Sequence, residues 1–286
     1  MISLILAIVS SASMTLVLKL FRGQNGNRFG ILLGNYLTCV VIALLSIPRK
    51  SMLWTGSETT ALLGIIGGGF FVAALVAMQT SVRVNGATLT AAFAKLGLVV
   101  SLLVSVFWFG ERPGVMQLIG IVLVLCALIV MHTGPKDDEV RTKKTSLGLL
   151  LLTLLTGGCG DGMAKVFDQL GNGGENVLYI FWVFFTSCVL TALLAIWEKR
   201  RTGKRIVLKE FAAGIAVGIP NYYSSYLLLV ALNRLPALLV FPVFSTGTIL
   251  LVFLFSTLFF RERPTRRQLL GILLIAASLV LLNINL

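Results

Sequence analysis

Glu111 to Leu123 reads E-R-P-G-V-M-Q-L-I-G-I-V-L, and Glu262 to Leu274 reads E-R-P-T-R-R-Q-L-L-G-I-L-L. At an offset of 151 residues the two stretches agree at 8 of 13 positions. The same offset lays Arg83 on Arg234. A nearby offset of 146 lays Lys19-Leu20-Phe21 on Lys165-Val166-Phe167. Self-similarity at one spacing marks two copies of one structural unit. Each stretch opens on a charged, proline-bearing turn and runs straight into an apolar segment. The fold then depends on how many such segments each copy holds and which solvent they face.

Composition answers the second question. Of the 286 residues 57% are apolar and 12% are charged, about half the charged share of an ordinary soluble domain. A soluble domain of this length still needs a polar surface, so the solvent for most of the chain is lipid. The net charge is +13. Its basic residues fall in the short gaps between apolar runs, not on one face of a polar domain. That arrangement reads as loops facing anionic lipid and not as nucleic-acid binding. The N-terminal run from Ile2 has no basic residue ahead of it and charges after it, which favours a retained helix over a cleaved signal. Cys39, Cys126, Cys159 and Cys188 all lie inside apolar runs without metal-ligand spacing, and read as small buried residues.

A helix needs about 20 apolar residues to cross the hydrocarbon core. Ten runs qualify: 2–20, 30–47, 61–80, 87–109, 115–132, 147–167, 176–197, 211–231, 236–260 and 267–285. The expected fold is an all-α integral membrane protein with ten transmembrane helices arranged as two inverted five-helix repeats. Five is odd, so the second copy runs through the membrane the opposite way. The repeats span residues 1–132 and 147–286, joined by a cytoplasmic linker at 133–146. Inverted repeats are typical of alternating-access transporters, with the substrate site near the midplane. Connections after the odd-numbered runs, taken with Lys19 and Arg267 at the run ends, carry 18 Lys and Arg, against 4 after the even-numbered ones. The odd connections are therefore expected in the cytoplasm, with both termini outside.

Two five-helix repeats, each with a Gly/Arg-Glu-Arg-Pro turn before its last helix, resemble the drug/metabolite transporter superfamily, and within it the EamA-like branch. The stretches FWFGERPGVMQLIGIVLVL and LFFRERPTRRQLLGILLIA carry the likeness, with the lysines that end the first and sixth runs. The resemblance covers nearly the whole chain. It implies a transporter in the bacterial inner membrane. It also implies a cavity lined by the third, fourth, eighth and ninth helices, with contributions from the first and sixth. Such proteins move amino acids, nucleotide sugars, phosphorylated sugars, purines or amphiphilic drugs. Some ten-helix members are described with both termini in the cytoplasm, opposite to the orientation the charge count gives here.

Intramembrane ionisable residues are functional candidates by default, because each costs a few kcal/mol to place at mid-bilayer. Lys95 lies about 13 Å into the fourth run at 1.5 Å per residue, too deep to reach water easily. The second repeat has Thr246 in its place. A substrate or coupling role for Lys95 competes with a local pairing to an acid or a helix carbonyl. Asp161 is the only acid well inside a run, in the stretch T-G-G-C-G-D-G-M-A-K (156–165). It stands four residues before Lys165, a spacing that suits an ion pair on one helix. Local neutralisation, a bridge to Lys95, or proton binding are all open to it. Gly158 and Gly162 make a G-x-x-x-G step suited to a close helix contact, with Asp161 and Lys165 on another part of the same helix. Lys165 has a twin in Lys19; Asp161 has none. Three lysines against one acid favour an anionic or amino-acid-like substrate. On the eighth run Asn221 and Ser225 share a face, as do Tyr222 and Tyr226. They either hydrogen-bond between helices or form a cavity wall. Pro220 and Pro242 interrupt the eighth and ninth runs, as hinges or as ordinary kinks. Glu111 and Glu262, at membrane edges beside arginines, read as turn-fixing ion pairs.

The sites expected are therefore Lys95, Asn221, Tyr222, Tyr226 and Thr246 for substrate, and Asp161, Lys165 and Lys19 for gating or coupling. No metal site, cofactor or catalytic motif is expected: His132 stands alone, and G-x-S-x-G and H-E-x-x-H are absent. The expected function is secondary transport of a small metabolite, with efflux as the default direction. The expected surroundings are the lipid bilayer, and the expected state a monomer or homodimer. A lipid-linked carrier flippase or an accessory membrane subunit is the alternative, and a membrane-embedded enzyme a distant third.

Overall fold

The computed structural model describes residues 1–20, 27, 29–85, 90, 93–94, 96–132, 146–259 and 266–283. Among these the regular elements are helical, as lipid demands of any segment that cannot close into a barrel. They are α1 (Ile2–Leu20), α2 (Gly30–Ser46), α3 (Glu58–Asn85), α4 (Leu98–Leu103), α5 (Val115–His132), α6 (Leu147–Leu170), α7 (Asn176–Thr202), α8 (Leu208–Leu232), α9 (Ala237–Phe259) and α10 (Arg266–Asn283). A one-turn helix, Met52–Thr55, precedes α3, and a 3-10 turn, Gly173–Glu175, leads into α7.

Segments within α3, α6, α7, α8 and α9 are long and apolar enough to cross a membrane. Shorter apolar helices occupy 2–17, 30–46, 98–108, 115–127 and 269–278. Helices outrun the apolar runs where polar residues still favour helix. α3 starts at Glu58, whose negative charge suits a helix N-terminus. α7 continues to Thr202 and carries Lys199, Arg200 and Arg201 in its last turn, where cations offset the C-terminal dipole. Gly203 then ends it in the left-handed region at φ +72°, its N–H bonding the Lys199 carbonyl. That conformation costs glycine least.

The described chain forms two compact units, and each draws on both halves of the sequence. The first comprises Met1–Val72 and Val166–Asn233; the second comprises Ala73–Lys165 and Arg234–Leu286. A sequence repeat and a compact unit are thus different divisions of this chain.

In the first unit α8 packs along α2 and α1, and α2 also packs on α7. Glycines set the closest approaches. A Cβ on Gly214 would overlap the Ile31 carbonyl, and one on Gly218 would stand 2.7 Å from the Asn35 oxygen and 2.5 Å from Thr38 Cβ. Cys39 Sγ donates to the Gly218 carbonyl at 3.2 Å. The contact of α3 with α7 has the same make-up. A Cβ on Gly64 would lie 2.9 Å from the Tyr179 carbonyl and 2.5 Å from Trp182 Cβ; one on Gly68 would meet the Val183 carbonyl and, at 2.8 Å, Thr186 Cβ. Ser187 Oγ donates to the Gly68 carbonyl at 3.3 Å. Gly64 and Gly68 precede Gly214 and Gly218 by 150 residues, and Thr38 and Cys39 precede Thr186 and Ser187 by 148.

In the second unit α10 packs on α5 and α9. Gly158 of α6 lies against α4, where a Cβ would overlap the Gly97 carbonyl and Val100. Ser101 Oγ donates to the Gly158 carbonyl at 3.0 Å, and Gly162 sits beside Ser101. At the other end of α6, the Ser146 N–H donates to Asn85 Oδ1 at 2.7 Å while Asn85 Nδ2 donates to the Ser146 carbonyl. That reciprocal pair ties the end of α3 to the start of α6. The thiols are not uniformly buried as expected. Cys39 is buried, Cys159 and Cys188 are partly covered, and Cys126 is exposed. In lipid an exposed thiol on α5 carries no penalty for facing outward.

Candidate functional site

One charged arrangement among the described residues of the second unit is built around Glu111. α4 passes at Val104 into a π turn that runs to Trp108. Gly110 follows in the left-handed region at φ +68°. The Glu111 N–H then closes onto the Ser105 carbonyl at 3.1 Å. This is a Schellman-like ending lengthened by the extra residue of the π turn. It aims the Glu111 carboxylate at two groups. Lys165 Nζ stands 3.0 Å from Oε1. The N–H groups of Ala237 and Leu238 donate to Oε1 and Oε2, each at 3.1 Å.

Those two amides belong to the first turn of α9, whose leading N–H groups have no partner within the helix. A carboxylate there satisfies them and complements the positive end of the helix dipole. The side chains of Lys165 and Glu111 are 5% and 16% exposed. A lysine so enclosed keeps its charge at tolerable cost only beside an acid. One carboxylate thus joins the α4–α5 turn, α6 and the start of α9.

This arrangement corrects the reading of Glu111 as a local pair with a neighbouring arginine: its ion-pair partner is Lys165. It also revises the layout of T-G-G-C-G-D-G-M-A-K. Lys165 lies seven residues beyond Gly158, two turns at 3.6 residues per turn, and both are buried; Asp161 is exposed. Lysine and glycine share a face, and Asp161 stands apart from it.

A second carboxylate acts similarly in the first unit. Glu175, in the turn before α7, accepts from the Ser57 N–H at 3.1 Å and from Thr60 Oγ1. It caps the start of α3 from a distant part of the chain.

The polar residues of α8 lie in the first unit. Asn221 is buried, and its Nδ2 donates to Asn35 Oδ1 of α2 at 3.1 Å. Ser224 Oγ donates to the Ala7 carbonyl of α1 at 3.3 Å. Tyr222 is buried and its ring is parallel to that of Tyr226, with centroids 6.2 Å apart. Tyr223 is exposed. Asn221 thus makes a hydrogen bond between α8 and α2. Asn35 gave no signal in the sequence, because a single amide inside an apolar run has no visible partner until the helices are paired. In the second unit, Thr246 is fully buried and its hydroxyl donates to the Pro242 carbonyl at 2.6 Å, one turn back. Such a back-bond occupies the hydroxyl and favours a bend. Lys95, Glu262 and the side chains of Lys19 and His132 lie outside the described residues.

Long apolar helices joined by hydrogen-bonded polar seams support a multi-pass membrane protein. Residues 146–284 match the EamA-like transporter family, a branch of the drug/metabolite transporter superfamily. Members of the family are transporters and not enzymes. An uncharacterized protein of Haemophilus influenzae is 24% identical over 286 aligned residues, covering 95% of this chain and 94% of that one. A solved crystal structure superposes with a TM-score of 0.78 at 15% identity, over 99% of this chain and 97% of the other. That likeness concerns the fold.

Proposed function

We propose that this protein is a secondary active transporter of the cell inner membrane. It moves a small organic metabolite, anionic or amino-acid-like, outward by alternating access of two inverted five-helix repeats at 1–132 and 147–286. The observation that carries this reading is the doubled helix seam. Gly214 and Gly218 meet α2 through the same backbone and side-chain positions that Gly64 and Gly68 meet on α7. A contact duplicated at a nearly constant offset supports two copies of one unit related by an internal two-fold axis, the arrangement on which alternating access rests. The family match supports solute transport as the activity. The anionic character of the substrate rests on the excess of lysines over acids within the apolar runs.

Two roles follow from the residues. Lys95 is assigned to the substrate, and Tyr222, Tyr226, Asn221 and Thr246 are each proposed separately as substrate contacts. Lys95→Met is expected to abolish uptake into proteoliposomes with expression unchanged, and retained transport would remove Lys95 from the site. The candidate solutes come from metabolite profiling of cells with and without the protein. Asp161, Lys165 and Lys19 are each proposed for gating or coupling, Asp161 as the proton-binding group. Asp161→Asn is expected to lose accumulation driven by a pH gradient while counterflow exchange persists. Undiminished pH-driven accumulation in that variant excludes proton coupling through Asp161.

A further inference from the structure

We propose that the turn between α7 and α8 is a preformed binding site for the phosphodiester headgroup of an anionic phospholipid. Six of the eleven residues 199–209 are basic: Lys199, Arg200, Arg201, Lys204, Arg205 and Lys209. All six are exposed. The two acids nearest in sequence, Glu198 and Glu210, are turned inward and are 8% and 4% exposed. The outer face of the turn is therefore cationic without an acid among its exposed residues.

The turn is held, not loose. Asn27, itself 2% exposed, reaches it from the segment before α2. Its N–H donates to the Arg205 carbonyl at 3.2 Å, and its Nδ2 donates to the carbonyls of Ala195 and Lys204. Gly203 closes the helix end, and Thr202 Oγ1 donates to the Glu198 carbonyl while accepting from the Lys204 N–H. These bonds fix the backbone and leave the cationic heads outward, so binding an anion orders few further groups.

The apolar residues beside the cations point to a lipid in place of a soluble anion. Trp197 is half exposed, with the Arg201 guanidinium 5.3 Å from its ring centroid. Leu208 is 81% exposed, with Ile206 and Val207 partly so. Tryptophan favours the headgroup level of a bilayer, and exposed aliphatic side chains beside it suit acyl chains. Cations near an anionic leaflet are attracted within about a Debye length. The turn between α2 and α3 has only Arg49 and Lys50, and Lys50 Nζ donates back to the Leu44 carbonyl.

The test uses the purified full chain in detergent, titrated with dihexanoyl phosphatidylglycerol, dihexanoyl phosphatidylcholine and inorganic phosphate. Phosphatidylglycerol is expected to bind about tenfold more tightly than phosphatidylcholine at low salt, a preference that shrinks at high salt. Each cation near such a surface contributes about fivefold. Arg201→Gln/Lys204→Gln/Arg205→Gln should therefore erase the preference. This triple variant keeps every backbone bond to Asn27, and its melting temperature reports whether the fold is intact. The charge-keeping variant Arg201→Lys/Arg205→Lys should retain the preference, and so should Arg49→Gln/Lys50→Gln. The proposal is overturned if the folded triple variant keeps the preference, if Arg49→Gln/Lys50→Gln loses it equally, or if inorganic phosphate binds as tightly as phosphatidylglycerol.

Discussion

Glu111→Ala is expected to be among the most destabilising single substitutions outside the apolar core, by about 3 kcal/mol. Two losses combine. Lys165, almost wholly enclosed, forfeits the acid 3.0 Å from its ammonium. The first amides of α9, on Ala237 and Leu238, forfeit their acceptor, a change worth about 1 kcal/mol where helix caps have been removed. Lys165→Met in the same background should restore part of the stability, because a methionine of similar length needs no counter-charge. The double variant should thus melt above Glu111→Ala, with a coupling energy of about 1–2 kcal/mol in the cycle. Purified protein in detergent, melted with a thiol-independent dye, gives all four corners. Equal melting temperatures for Glu111→Ala with and without Lys165→Met would falsify the claim that the pair is energetically joined.

Gly218→Val is expected to abolish the well-folded monodisperse protein. Its Cβ would lie 2.7 Å from the Asn35 carbonyl oxygen and 2.5 Å from Thr38, and a backbone oxygen cannot rotate aside. Overpacking costs about 1–3 kcal/mol where side chains can adjust; here α8 must move off α2, with the hydrogen bond of Asn221 to Asn35 moving too. Gly68→Val should be equally damaging, because Val183 and Thr186 stand where Asn35 and Thr38 do. Gly148→Ala is the contrast: a Cβ there meets no atom within 4 Å, and alanine favours helix by about 1 kcal/mol over glycine. Fluorescence size-exclusion profiles of the three variants separate the cases. A sharp peak for Gly68→Val beside aggregation for Gly218→Val would break the equivalence of the two seams.

Much of this architecture was legible before any helix was placed. Apolar run length pointed to the long apolar helices among the described residues, since lipid leaves the backbone few alternatives, and Gly158 with Gly162 announced a close helix contact without naming its partner. Helix ends were less legible, because α7 continues past its last apolar residue into Arg200 and Arg201, which a search for apolarity reads as loop. The seams were the least visible. Gly64 with Gly68 and Gly214 with Gly218 are present in the sequence at one offset, but their partners Asn35, Thr38 and Thr186 look like isolated polar residues. The same limit applied to Glu111. Its charge was visible, and sequence distance gave no reason to join it to Lys165, 54 residues on, or to the first amides of α9. Burial and pairing are properties of assembled helices, and single-helix periodicity does not contain them.

One detail bears on what the two seams require of their side chains. At matching places in the two seams a thiol and a hydroxyl make the same bond. Cys39 donates to the carbonyl of Gly218, and Ser187 to that of Gly68. What each place requires is a short side chain with one hydrogen to give. Cysteine and serine are then synonyms in this fold, along with any residue as small and as able to donate. Two stretches of chain can therefore differ almost letter by letter while the grammar of their helix contacts stays the same.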